Sequence, residues 1–96
     1  MKCNIFQFKE IFSKLTGEPE LEIHLKNYES IYMIIKYDNY VTFQRCGIND
    51  GSGEIKFKDI DELLESDTID NINLKRDFNK IENIIVDEGF DIDELL

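Results

Sequence analysis

The chain has 96 residues with 11 Lys and Arg against 21 Asp and Glu, a formal net charge of -10, and 42% hydrophobic residues. A chain of this size builds one core and buries about 60 to 65% of the surface its unfolded form exposes, which predicts a single compact domain over residues 1–96. The charge disfavours direct binding to nucleic acid or anionic membranes and favours a basic protein partner.

No apolar run approaches the roughly 20 residues of a membrane span, and charges interrupt the N-terminus where a signal peptide would be apolar, so a cytoplasmic protein is expected. Two cysteines, Cys3 and Cys46, are too few for a disulfide framework or a zinc site and are expected to be reduced.

In chain order, Ile5, Phe8, Ile11, Phe12 and Leu15 form one stripe of a helix over 4–15. Asn4 with Gln7 has the form of a capping box, and Gly17 and Pro19 stop the helix. Leu21, Ile23 and Leu25 alternate with Glu20, Glu22, His24 and Lys26, the pattern of a strand with one wet face. After a turn over 27–30, Ile31 to Tyr37 is apolar on both faces except at Lys36, and a two-residue turn at Asp38 and Asn39 leads to a strand over 40–46.

Glu54 to Lys58 alternates again, so four strands in an antiparallel meander are expected under the first helix. Asp59 reads as an N-cap of a short helix burying Ile60, Leu63 and Leu64. Between 74 and 86 the spacing of Leu74, Phe78, Ile81 and Ile85 fits a helix whereas Ile84, Ile85 and Val86 favour a strand; a helical turn over 74–80 and a fifth strand over 81–86 are expected. The tail from Phe90 is expected as a short acidic helix or a mobile end. The predicted architecture is α+β: an antiparallel sheet of four or five strands, an amphipathic N-terminal helix on one face and a short acidic helix.

The run from Ile55 through Asp59-Ile60-Asp61-Glu62-Leu63-Leu64, followed by Asn73-Leu74-Lys75, Phe78 and Ile81-Glu82, resembles segments common in small uncharacterised phage and prophage proteins. The resemblance covers about a third of the chain. It implies an origin in a mobile element and supports the fifth strand, and it brings no catalytic residue with it.

Residues 48–59 look like a calcium-binding EF-hand loop from the third position onward, with Asp50 and Ser52 as ligands and Gly53 at the turn. Ile48 in the first ligand position, Asp59 in place of the bidentate Glu, and a strand where the entering helix belongs favour a Gly-rich hairpin loop instead. His24 is expected to be solvated, and a pair with Cys46 would be about 10 Å apart across an intervening strand. No catalytic motif, metal ligand set or cofactor fingerprint is expected to operate.

The charge map carries the functional expectation. Residues 1–50 hold six bases and seven acids, and 51–96 hold five bases and fourteen acids. Asp59, Asp61, Glu62, Glu65, Asp67 and Asp70 form one run with no base between them; Asp87, Glu88, Asp91, Asp93 and Glu94 form another. These side chains, with Tyr32 and Tyr40 on a sheet face beside Ile34, are the candidate partner-binding residues. The alternative for the two tyrosines is a place in the core. Phe6, off the helix stripe, is a further exposed anchor. In size and acidity the chain is similar to anti-CRISPR, anti-restriction and nuclease-immunity proteins, which implies a non-enzymatic inhibitor of a basic nucleic-acid-processing protein, acting as a monomer or small homo-oligomer. A phage assembly protein that self-associates is the alternative.

Overall fold

The computed structural model describes residues 1–47, 53–87 and 89–96. In chain order it contains α1 (Ile5–Lys14), β1 (Glu20–Leu25), β2 (Tyr32–Lys36), β3 (Val41–Arg45), β4 (Ile55–Phe57), α2 (Ile60–Glu65), β5 (Ile81–Val86) and β6 (Phe90–Asp91). Single turns of 3-10 helix lie at Ile69–Asn71, Phe78–Lys80 and Ile92–Leu95. Every strand pair is antiparallel, in the spatial order β4-β3-β2-β1-β5-β6.

The fold is α+β, and the sheet has six strands rather than four or five. The first four form the expected meander, and the chain then crosses the helical face so that β5 pairs with β1. The sixth strand comes from the tail. Asp87 takes a left-handed φ of 53° and the Gly89 amide donates to the Val86 carbonyl at 3.5 Å, which turns Phe90 and Asp91 back alongside Val86 and Ile85.

The capping box at Asn4 and Gln7 is formed in both directions, with the Gln7 amide 2.8 Å from Asn4 Oδ1. Phe8 and Phe12 are buried and Ile5, Ile11 and Leu15 half-buried, so the stripe is the face on the sheet, whereas Phe6 is 77% exposed. Beneath α1 lie Leu21, Ile23 and Leu25 of β1, Tyr32 and Ile34 of β2, Val41 and Phe43 of β3, and Ile81, Ile84 and Val86 of β5, in one cluster closed by Leu63, Leu64, Ile72, Leu74 and Ile92.

Ile81 and Ile84 are three apart, which in a regular strand would place them on opposite faces. They both point inward because the pairing slips at Glu82, His24 standing opposite Asn83 and Leu25 opposite Ile81. This bulge explains why the 74–86 pattern reads as both helix and strand. The expected turn and fifth strand are both present, the turn as 3-10 helix at Phe78–Lys80.

Lys36 locks α1 to the sheet. Its ammonium donates to the Phe12 carbonyl at 2.6 Å and the Leu15 carbonyl at 2.8 Å, and sits 5.1 Å from the Phe12 ring centre. A cation at the negative end of the helix is favoured by the dipole; here it gives the Leu15 carbonyl a donor and adds a second one to the Phe12 carbonyl, which also accepts the Leu15 amide at 3.2 Å. Lys36→Met keeps the stem and removes the charge; it is expected to cost about 1 to 2 kcal/mol, read as a lower urea midpoint with an unchanged m-value.

Candidate partner-binding surface

α2 begins where Asp59 Oδ1 accepts the Glu62 amide at 2.9 Å, and its Leu63 and Leu64 are buried on a packing surface that includes β3 and β4. Asp61 and Glu65 remain exposed and Glu62 half-exposed. Bases from elsewhere in the chain meet part of this run. Lys9 of α1 reaches Asp61 at 2.8 Å and Lys75 reaches Glu65 at 3.6 Å, exposed pairs worth about 0 to 1 kcal/mol each.

Asp67 accepts from the Asn73 side-chain amide at 3.3 Å. Asp70 is drawn further in: it accepts the Tyr32 hydroxyl at 2.5 Å and lies 3.4 Å from Arg45 Nη1. The first run is therefore an acidic ledge over the β3–β4 end, with Asp59, Asp61, Glu62, Glu65 and Asp67 facing outward and Asp70 tied to the sheet.

The second run lies at the other edge. Asp87 accepts the Glu20 amide at 3.2 Å, and Asp91 caps the last 3-10 turn by accepting the Asp93 amide at 2.9 Å. Asp93 receives the Lys2 amide at 2.8 Å and the Cys3 amide at 2.9 Å, clasping the N-terminal arm to the C-terminus. These two backbone donors hold its carboxyl below the usual range. Glu94 is exposed, and Glu88 lies outside the described residues. The first run is anchored beside β4, β3 and β2, and the second beside β1, β5 and β6, so the two occupy different halves of the sheet.

Tyr32 is a core residue and not part of an exposed sheet face: it is 1% exposed, stacked on Phe43 with ring centres 5.6 Å apart, and Ile34 beside it is buried too. Ile23 stands directly opposite Tyr32 in the ladder, and residues directly opposite share a face. Since Ile23 points inward, so must Tyr32. The expectation of an exposed Tyr32 is corrected on this ground. Tyr40 is half-buried at the hairpin, stacked on Tyr37 at 4.7 Å with Lys56 Nζ 4.1 Å from its ring centre.

The opposite register exposes residues that the pattern left undistinguished. Met33, Ile35 and Ile85 are half-buried on the face away from the helices, with Glu22 standing between Met33 and Ile85 in the ladder. The signal was present in β2, whose apolar residues occupy both faces.

His24 and Cys46 occupy β1 and the end of β3 with Ile31 between them, the Cys46 amide donating to the Ile31 carbonyl at 2.8 Å. Burial first, then Glu22 and Glu20, push the Cys46 thiol up, opposite to what a nucleophilic thiolate needs. Of the calcium-loop pattern, residues 48–52 lie outside the described residues; β3 precedes them in place of a helix, and Asp59 is engaged as the α2 cap. Among the described residues no group of three or more His, Cys, Asp and Glu side chains converges on a metal-sized site. No described helix is long and apolar enough to cross a membrane.

No protein-family model, curated protein or solved structure matches the chain.

Proposed function

We propose that the protein is a non-enzymatic inhibitor, carried by a phage or related mobile element, that docks its acidic ledge into the basic groove of a nucleic-acid-processing protein of a defence system. The observation supporting this reading is that Asp59, Asp61, Glu62, Glu65 and Asp67 project from one short segment, helix-capped and anchored by Leu63 and Leu64. A row of fixed carboxylates offers a basic groove the charges of a phosphate track without the cost of ordering a flexible chain. The run at Asp87, Asp91, Asp93 and Glu94 would contribute long-range attraction, since much of it is engaged by backbone amides.

Capture of the partner from a host lysate at low salt, identified by mass, tests this. The double variant Glu62→Lys/Glu65→Lys spares the cap and the core. It is expected to weaken capture at least tenfold, and raising salt from about 50 to 500 mM, which shortens the Debye length about threefold, should do the same. Capture of a basic protein that survives both changes would overturn the proposal.

The open sheet face supports a second reading, a self-associating assembly protein. Met33 and Ile35 lie half-buried on it, with Ile85 across Glu22 of β1, whereas the edge strands β4 and β6 have only three and two residues and make poor templates for edge-to-edge pairing. Association through that face would give a larger mass by light scattering at low and high salt alike.

A further inference from the structure

One cleft departs from the acidic character of the molecule. It has a volume of about 520 Å3 and lies between the N-terminal arm and the 75–81 segment. Lys2, Lys26, Lys75 and Arg76 line it, and no Asp or Glu does, in a chain where acids outnumber bases 21 to 11. Four bases from three separate stretches of sequence converge here.

The nearby carboxylates are already committed. Asp77 is buried and bound by Arg76 through Nε at 3.1 Å and Nη2 at 2.9 Å, by the Asn73 amide at 3.1 Å and by Lys80 at 3.5 Å. Asp93 is engaged by the Lys2 and Cys3 amides, and Glu65 reaches only Lys75. Among the described residues no carboxylate comes within 4.0 Å of the Lys2 or Lys26 ammonium, and Arg76 Nη1 makes no hydrogen bond. Arg76 is thus held as a preformed donor by its own fork on Asp77 and by the Asn71 carbonyl at 2.8 Å. The start of α1 adds the positive end of a ten-residue helix at Asn4 and Ile5.

Asn4 and Asn79 add polar groups to the wall, and the rest of it is apolar. Ile5 and Phe78 are half-buried, and Cys3 and Ile81 lie deeper. A cleft of this size with cations at its rim and an aromatic ring in its wall matches a small organic anion rather than a bare ion. We infer that this cleft binds a small phosphate monoester bearing a flat apolar body, of nucleotide size, with the phosphate on Lys2, Lys26 and Arg76 and the body against Ile5 and Phe78. The site adjoins the acidic ledge only through the Lys75–Glu65 pair and does not depend on the reading above.

The test is an amide chemical-shift titration of the full chain with adenosine 5′-monophosphate, inorganic phosphate and adenosine, each to millimolar concentration at low salt. The monophosphate is expected to give saturable shifts confined to residues 2–5, 26 and 75–81, with at least tenfold tighter binding than either adenosine or inorganic phosphate. Lys2→Ala/Lys26→Ala, which removes side chains without intramolecular ion pairs, should weaken it at least tenfold while leaving the unperturbed spectrum folded. Lys58→Ala, outside the cleft, should leave it unchanged. Absence of saturable shifts, equal response of Lys56 and Lys58, or full binding by the double variant would each overturn the assignment. Inorganic phosphate binding as tightly as the monophosphate would overturn the role given to Ile5 and Phe78.

Discussion

Tyr32→Ala is expected to destabilise the domain by about 4 kcal/mol, a large share of the roughly 5 to 10 kcal/mol that a chain of this length has in total. The ring is 1% exposed, stacks nearly parallel on Phe43 at an interplanar angle of 5°, and takes Tyr28 edge-on at 6.1 Å. Truncation leaves a cavity in the middle of the sheet between partners held rigidly by β1 and β3, so it cannot collapse cheaply. The hydroxyl has a separate duty: it donates to Asp70, which itself sits in the left-handed region at φ 57°, and so ties the strap after α2 to the sheet.

Tyr32→Phe removes only that tie and is expected to cost about 1 kcal/mol, since Arg45 still faces Asp70. Urea denaturation of the two variants checks the ordering; equal losses would mean that the hydroxyl and not the ring holds this region. Burial is also the first cause raising the Tyr32 phenol above its ordinary value of 10.0, with Asp70 second. A raised acid gives stability that is complete below the unfolded value and lost as pH rises above it. Burial likewise raises Cys3 and Cys46 above 9.0, so alkaline unfolding is expected to set in beyond about pH 9.

Asp77→Ala should cost about 2 to 3 kcal/mol, a large loss for a polar side chain, and lower the melting temperature by roughly 10 to 20 °C. Its carboxylate is 3% exposed and closes the 73–77 turn, accepting the Asn73 amide while its own amide donates to the Asn73 carbonyl at 2.8 Å. Arg76 and Lys80 are more than half exposed, so their Coulomb attraction is screened; the larger loss is the part-buried Asn73 amide left without an acceptor. Asp77→Asn keeps one acceptor and should recover about half of the loss.

The Arg76 hydrogen bonds above all hold the Asp77 carboxyl down from 3.8 to about 2, and Asp93 is lowered by the Lys2 and Cys3 amides. A depressed acid contributes stability above its unfolded value and loses it as pH falls through the folded one. Acid unfolding of the native chain should therefore develop between about pH 4 and 2, with Asp77→Asn showing a shallower pH dependence there. Because Asp77 orients Arg76, the same variant is also expected to loosen the basic cleft.

Local chemistry made much of this molecule legible before folding. Asn4 and Gln7 mark the start of α1, alternation marks β1, the Asp38-Asn39 pair closes a hairpin, and Asp59 starts α2, because caps, turns and periods are satisfied within a few residues. Two acidic runs were equally plain, since clustering along the chain needs no structure to be seen.

Partners distant in sequence decided the rest. Residues 31–35, apolar on both faces, fit either parity until Ile23 across the ladder forces Tyr32 inward and leaves Met33 and Ile35 outside. Ile81 and Ile84 share a face only through the slip opposite His24, and β6 exists only because β5 offers it an edge. Lys36 gives no sign in sequence that it will cap a helix 21 to 24 residues away. Whether a carboxylate remains outward, as Glu62 does, or is consumed internally, as Asp70, Asp77 and Asp93 are, depends on which donors the fold brings within 3.5 Å. Periodicity determines how each segment folds, but face, pairing and residual charge are properties of contacts between segments, and only the assembled sheet specifies those.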